Sequence, residues 1–224
     1  MVANLEAELR KRGPRDATGL GHAVKALENS DPLVRCYAPQ LRAFASLRNA
    51  ISHYSYHDGL PIATPQRHIT EAAAAVLEHF RDPVQVGDEF LGPVSCVNAS
   101  DLLVPCLRRM QQALLSQAPV LQDEKYIGLL TTNAVARWLA VSPEADGKAL
   151  LREVRISEVL HHRESHERAE HVSKTLTVAA AADRFARAKP PIALLITESG
   201  KADETILGII VQSDLPRLVR LLTV

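Results

Sequence analysis

Along the first eighty or so residues apolar positions recur at intervals of three and four, a spacing that predicts amphipathic helices. A short helix is predicted over about residues 5–12, followed by a Gly- and Pro-containing connection at 13–21. A second covers 22–28 and is stopped by Asn29, Ser30 and Asp31, after which Pro32 suits the first turn of the next helix. That long helix, about 33–54, carries Leu41, Phe44, Ala45, Leu47 and Ile51. A polar turn at Tyr56, His57, Asp58 and Gly59 follows. Thr64 and Pro65 then open a last helix bearing Ile69, Ala72, Ala73, Val76, Leu77 and Phe80. The pattern changes near Arg81, Asp82 and Pro83. Beyond it, short apolar runs at 94–97, 118–121 and 126–132 alternate with predicted helices at 100–117 and 133–140. After a linker containing Pro143 and Gly147 the order recurs, with a helix at 176–188, strands at 192–197 and 206–211, and a helix at 214–222.

The recurrence extends to individual residues. The run Tyr126, Ile127, Gly128, Leu129, Leu130, Thr131 aligns with Ile206, Leu207, Gly208, Ile209, Ile210, Val211. A repeat of this size implies two copies of one supersecondary unit packed together, because neither can bury both faces of its small sheet alone. The order helix, strand, strand, helix, with a Gly-apolar-apolar-(Thr/Ser)-x-x-Asp signature after the last strand, resembles the CBS domain. Two copies over residues 83–224 would form a CBS pair, or Bateman module.

The resemblance implies a regulatory module that binds an adenine nucleotide such as AMP, ADP or ATP. Its expected binding residues are Gly128, Thr131 and Thr132 in the first copy and Gly208 and Asp214 in the second. The glycines let backbone approach closely, and hydroxyl and carboxylate at a strand-to-helix turn suit ribose and phosphate. Both copies depart from the pattern. The first keeps Thr131 but has Ala134 in place of the carboxylate; the second keeps Asp214 but has Val211 in place of the hydroxyl. The better-furnished site is therefore expected around Asp214. The alternative is that both turns only cap helices, through Asn133 and Ser213.

Between the copies lie His161, His162, His166 and His171. His162 and His166 have helical metal-pair spacing, but Arg163, Glu164, Glu167, Arg168 and Glu170 surround them, and no third well-spaced ligand is evident. The stretch reads as a solvated linker without metal. Since it lies near the ligand cleft in CBS pairs, Arg163 and Arg168 are further candidates for phosphate contacts.

In the helical half, Arg48, Asn49 and His53, followed by a turn and another helix, resemble the HEPN domain, an all-helical family marked by an Arg and a His a few residues on. The resemblance implies Arg48, Asn49 and His53 as catalytic residues of a metal-independent endoribonuclease acting on RNA. The chemistry suits the residue types. Attack by a 2′-hydroxyl needs proton transfer, which a histidine can perform near neutrality, and the crowded phosphate needs the permanent forked charge of an arginine. Many catalytic members place Tyr two residues after the His; here that position is Ser55. On an ideal helix Asn49 and His53 share a face, while Arg48 falls in the apolar arc about 140° from His53. Convergence of Arg48 and His53 is simpler across a twofold axis. Otherwise Arg48 pairs with a carboxylate in the core and His53 caps the helix end.

The sequence thus predicts an α+β protein, an N-terminal all-helical, HEPN-like bundle followed by two tandem CBS repeats, with divisions at 1–82, 83–155 and 156–224. Composition narrows the function. Of 224 residues 46% are hydrophobic, enough for a core, and 26 basic side chains balance 26 acidic ones, so no global field draws the chain to nucleic acid or membrane. No apolar run reaches membrane-spanning length, and the first residues lack a signal-peptide block. Cys36, Cys96 and Cys106, without a CxxC pair, suit a reduced cytoplasmic protein. Two functions remain: a nucleotide-sensing regulatory homodimer with a helical effector domain, or a ribonuclease gated by nucleotide. In both, the short connection at Pro83 suits coupling between halves.

Overall fold

The computed structural model describes residues 1–13, 18–53, 55–56, 60–61, 64–141 and 153–223. They divide into two compact units. The helical unit takes Met1–Val84 together with Thr177–Asp183 and Pro216–Val224. Its helices are α1 (Val2–Arg12), α2 (Leu20–Leu27), α3 (Pro32–His53) and α4 (Arg67–Arg81). Leu5, Leu9, Val24, Val34, Leu41, Val76 and Phe80 form its core, which Ala179 also joins. Asp31 starts α3 by accepting the amides of Leu33 (2.9 Å) and Val34 (3.2 Å), with Pro32 in the first turn. Tyr37 is fully buried, and its hydroxyl donates to the Leu222 carbonyl (2.8 Å) and meets His79 Nδ1.

Two sequence expectations change here. The half read as all-helical contains a short antiparallel pair, β1 (Ser55–Tyr56) with β2 (Leu60–Pro61); the turn residues His57, Asp58 and Gly59 between them lie outside the described residues. The last helix begins at Arg67 after Gln66, not at Thr64 and Pro65. Proline suits a first turn but does not compel one when the preceding residues remain extended.

The strand-bearing unit spans Gln85–Leu176 and Arg184–Leu215. Its first copy runs β3 (Val97–Asn98), α5 (Leu103–Gln112), β4 (Gln117–Gln122), β5 (Lys125–Thr131) and α6 (Thr132–Val141). After a short helix, Ile156–Leu160, the second runs β6 (Ala169–Ser173), α7 (Val178–Phe185), β7 (Ala193–Thr197) and β8 (Gly208–Val211). A 3₁₀ turn, Gln212–Asp214, then leads into α8 (Leu215–Leu221).

Each copy makes a three-stranded sheet in which the first strand pairs parallel with the second and the second antiparallel with the third. The registers match rung for rung. Val120 faces Gly128 as Ile196 faces Gly208, and Gln117 faces Thr131 as Ala193 faces Val211. The repeat read from the sequence is therefore a structural repeat. All five residues of β7 are buried, which explains its unbroken apolar run.

The copies also correct the reading. The histidine stretch that reads as a solvated linker ends inside β6, where His171 pairs with Leu195. Parallel pairing satisfies the backbone of a segment whose side chains are mostly polar. The helix expected over 100–117 occupies only 103–112, because a Schellman turn ends it: Leu115 N–H bonds the Met110 carbonyl (2.8 Å) and Leu114 N–H that of Gln111 (3.1 Å).

Candidate functional site

The antiparallel exit of β8 into the 3₁₀ turn places Asp214 at the edge of a cavity of about 300 Å³ within the strand-bearing unit. Pro93, Val94 and Ser95 line one side, the end of the first copy's helical turn (Leu114, Leu115, Ser116) another, and Ile209, Val211 and Ser213 the floor. The volume is at the lower end for small-molecule sites, and the lining joins apolar side chains to a few hydroxyls and one carboxylate. Asp214 Oδ2 accepts the Val211 amide (2.9 Å), a bond that folds the turn. Leu114 stands at the rim, 92% exposed, in the left-handed region (φ 54°) where a Schellman turn ordinarily carries glycine.

The structure brings Gly208 and Asp214 onto the same strand-and-turn, and Gly208 lies against the backbone at Phe90 and Leu91. A Cβ there would overlap the carbonyl oxygen of Phe90, because Leu91 bridges to Gly208 and Gly92 N–H bonds the Leu207 carbonyl (3.0 Å). The glycine admits the segment that continues into the cavity wall at Pro93–Ser95. Gly208→Ala is accordingly expected to cost about 1–3 kcal/mol by overpacking and to weaken any ligand of this cavity. Chemical denaturation and ligand titration of one sample would check both.

The first copy is arranged differently at the equivalent rung. Thr131 is buried, and its Oγ1 accepts the Ala134 amide (2.9 Å), so Thr131 and not Asn133 caps α6. In the second copy the cap comes from Asp214 reaching back to Val211, not from Ser213. The Thr131 hydroxyl then donates to Glu167 Oε1 (2.6 Å). Glu167 is only 4% exposed and also receives the Glu164 amide (2.9 Å) and Arg137. Burial pushes its carboxyl up, but the Thr131 and Glu164 hydrogen bonds, with the charges of Arg137 and His166, hold it below the ordinary value.

Arg163 folds over Gly128, where a Cβ would overlap its guanidinium. Its Nε donates to the Leu160 carbonyl (2.9 Å) and its Nη1 lies 3.4 Å from that of Ile127. Arg168 donates to the Lys189 carbonyl (3.1 Å), and Thr132 is exposed. The carbonyl contacts are therefore what the structure assigns to these two arginines. The sequence carries no local signal for this buried pair: nothing marks one carboxylate among Glu164, Glu167 and Glu170, and Arg137 lies on a helix outside any motif.

A larger hollow of about 550 Å³ lies beside the β4–β5 hairpin. Its rim holds the exposed carboxylates of Asp123 and Glu124, and its Arg155 donates to the Ser100 carbonyl (2.6 Å). That balance does not suit an anionic ligand. Among the described residues no group of three His, Cys, Asp or Glu is placed to hold a metal ion.

In the helical unit, Arg48 and Asn49 are exposed, and Arg48 Nη1 donates to Asn49 Oδ1 (3.2 Å). Both line a cavity of about 390 Å³ with Glu6, His22 and the start of α2. Arg48 therefore does not pair with a carboxylate in the core, as the helical wheel allowed; α3 has left the core by Leu47, which is only half-buried. His53 closes α3, and its side chain lies outside the described part of the structure.

No family model matches the sequence, and no curated protein does. Solved structures similar to it are CBS-domain pairs. The CBS domain of a CBS domain-containing membrane protein from Sphaerobacter thermophilus is 19% identical over 68% of this chain and 98% of its own, with a TM-score of 0.49. The CBS pair of protein MJ0100, solved with methylthioadenosine and S-adenosylmethionine, is 14% identical over 62% of this chain and 97% of its own (TM-score 0.46). CBSX2, solved with AMP, is 17% identical over 61% and 96% (TM-score 0.45). No helix among the described residues is long and apolar enough to cross a membrane.

Proposed function

We propose that the protein is a regulatory CBS-pair module that senses an adenine nucleotide and acts through its helical domain, as a homodimer. The observation that carries this reading is the Asp214 cavity, where apolar walls for a base end in a carboxylate and three serine hydroxyls suited to a ribose. The divisions at 1–82, 83–155 and 156–224, and the roles of Gly208 and Asp214 toward the ligand, belong to the same proposal. Thermal melting with AMP, ADP and ATP tests it: a hundredfold excess over Kd should add about 2.7 kcal/mol of stability. No shift with any of the three would sink the reading. A 24.5 kDa particle by light scattering would remove the dimer.

Asp214→Ala should weaken nucleotide binding by about 10- to 100-fold, the loss of a charged hydrogen-bond acceptor. Since that variant also loses the Val211 contact, Asp214→Asn serves as the control, retaining an acceptor for the turn without the charge. Equal affinity in the parent and both variants would move the site elsewhere.

A second reading is favoured by the joint exposure of Arg48 and Asn49 in a polar cavity. In it the helical domain is a HEPN-like, metal-independent endoribonuclease using Arg48, Asn49 and His53, gated by the nucleotide. RNA left intact in EDTA, with and without each nucleotide, would leave the regulatory reading standing alone.

A further inference from the structure

We propose that the first copy holds a latched anion site: Thr131, Arg137 and the Glu164 amide form a cradle for a phosphate-bearing ligand, and the chain's own Glu167 carboxylate occupies it. The inference stands apart from the Asp214 reading. It rests on the donors around one buried carboxylate. Glu167 Oε1 takes the Thr131 hydroxyl (2.6 Å), while Oε2 takes the Glu164 amide (2.9 Å) and the Arg137 guanidinium. A hydroxyl, a backbone N–H and an arginine converging on two oxygens is a donor set that serves a phosphate as well as a carboxylate.

The cradle is itself held in place. Arg137 Nε donates to the His162 carbonyl (2.8 Å), and Thr131 is fixed as the cap of α6 by the Ala134 amide (2.9 Å). Removal of the carboxylate would leave donors that are already aimed.

The register shows what the latch replaces. Thr131 occupies the rung that Val211 occupies in the second copy, and Val211 lines the open Asp214 cavity. Where the second copy presents a cavity, the first presents a carboxylate 4% exposed. Glu167 is tethered three residues from Glu164, so its effective concentration at the cradle is on the order of millimolar or higher. A free anion competes poorly against it. The site would open only when the Glu167 side chain swings out while the Glu164 amide and the His162 carbonyl stay in place.

The test compares the parent, Glu167→Ala and Glu167→Gln by thermal melting in inorganic phosphate against chloride at matched ionic strength. Glu167→Ala empties the cradle and should bind phosphate at least about tenfold more tightly than the parent. Glu167→Gln, which keeps the side chain's shape, guards against a variant that fails to fold: its amide group opposes Arg137, so phosphate should stabilise it more than it does the parent. AMP in place of phosphate distinguishes a nucleotide from a bare anion as the occupant. Calorimetry in an Asp214→Ala background keeps the two sites apart, since binding gained there cannot come from the Asp214 cavity. If neither Glu167 variant gains phosphate-dependent stability over the parent, the cradle is only a structural ion pair and the proposal falls.

Discussion

Arg137→Ala should destabilise the protein by about 3 kcal/mol at neutral pH. Removing one partner of a buried pair leaves the other charge uncompensated, at about 3–5 kcal/mol. The lower figure applies because the Arg137 side chain is 32% exposed while that of Glu167 is 2%. For a domain of this size the melting temperature should fall by roughly 6–12 °C. Acid should shrink the difference. Glu167 has a folded-state pKa below its ordinary value, so its contribution is present above the unfolded carboxylate range and is lost as the pH falls through the folded value. Without Arg137 one of the contributions that lower it is gone, so the carboxyl titrates higher than in the parent. Melting curves at neutral pH and near pH 3 check the sign: a difference that does not narrow in acid would mean that Arg137 stabilises by packing and not by charge.

If the helical domain cleaves RNA, His53→Ala should slow it by about 10²–10⁴-fold through loss of proton transfer, and Arg48→Ala by a comparable factor through loss of charge on the phosphate. The products should carry 2′,3′-cyclic phosphate ends. The exposure of Arg48 sharpens this test. A surface substitution away from caps and buried pairs changes stability by no more than about 0.5 kcal/mol, so Arg48→Ala should melt with the parent. Cleavage at the parent rate by Arg48→Ala would remove the residue from the chemistry.

The elements that could be read from the sequence are those whose own side chains carry the signal. The pairing of Gly128 with Gly208 was visible because both stand in strongly apolar runs, and the structure puts them on equivalent rungs. β6 was not visible, because Glu170 and His171 pair with apolar partners that lie more than twenty residues away. The helix ends were misread for a related reason. Asn133 and Ser213 have good capping chemistry, yet the caps come from Thr131, which accepts the Ala134 amide, and Asp214, which accepts that of Val211. Asp214 stands in a motif that its own neighbours spell out, whereas the cavity walls at Pro93–Ser95 and Leu114–Ser116 come from segments distant in sequence. Glu167 shows the limit most clearly. A carboxylate among histidines, arginines and other carboxylates reads as solvated until the fold buries it.

The bond from Tyr37 to Leu222 bears on how the chain is made. It joins residues 185 apart, and the core it closes also includes Ala179. At about 5–20 residues per second the ribosome adds Leu222 roughly 10–40 s after Tyr37. Throughout that interval the Tyr37 hydroxyl lacks its carbonyl and the core of the four N-terminal helices lacks Ala179, leaving apolar surface open to chaperones or to association with other nascent chains. Contacts of such long range also slow folding, since loop closure precedes any gain from the contact. For this unit, synthesis and folding cannot proceed strictly in chain order: helices translated first must wait for residues translated much later.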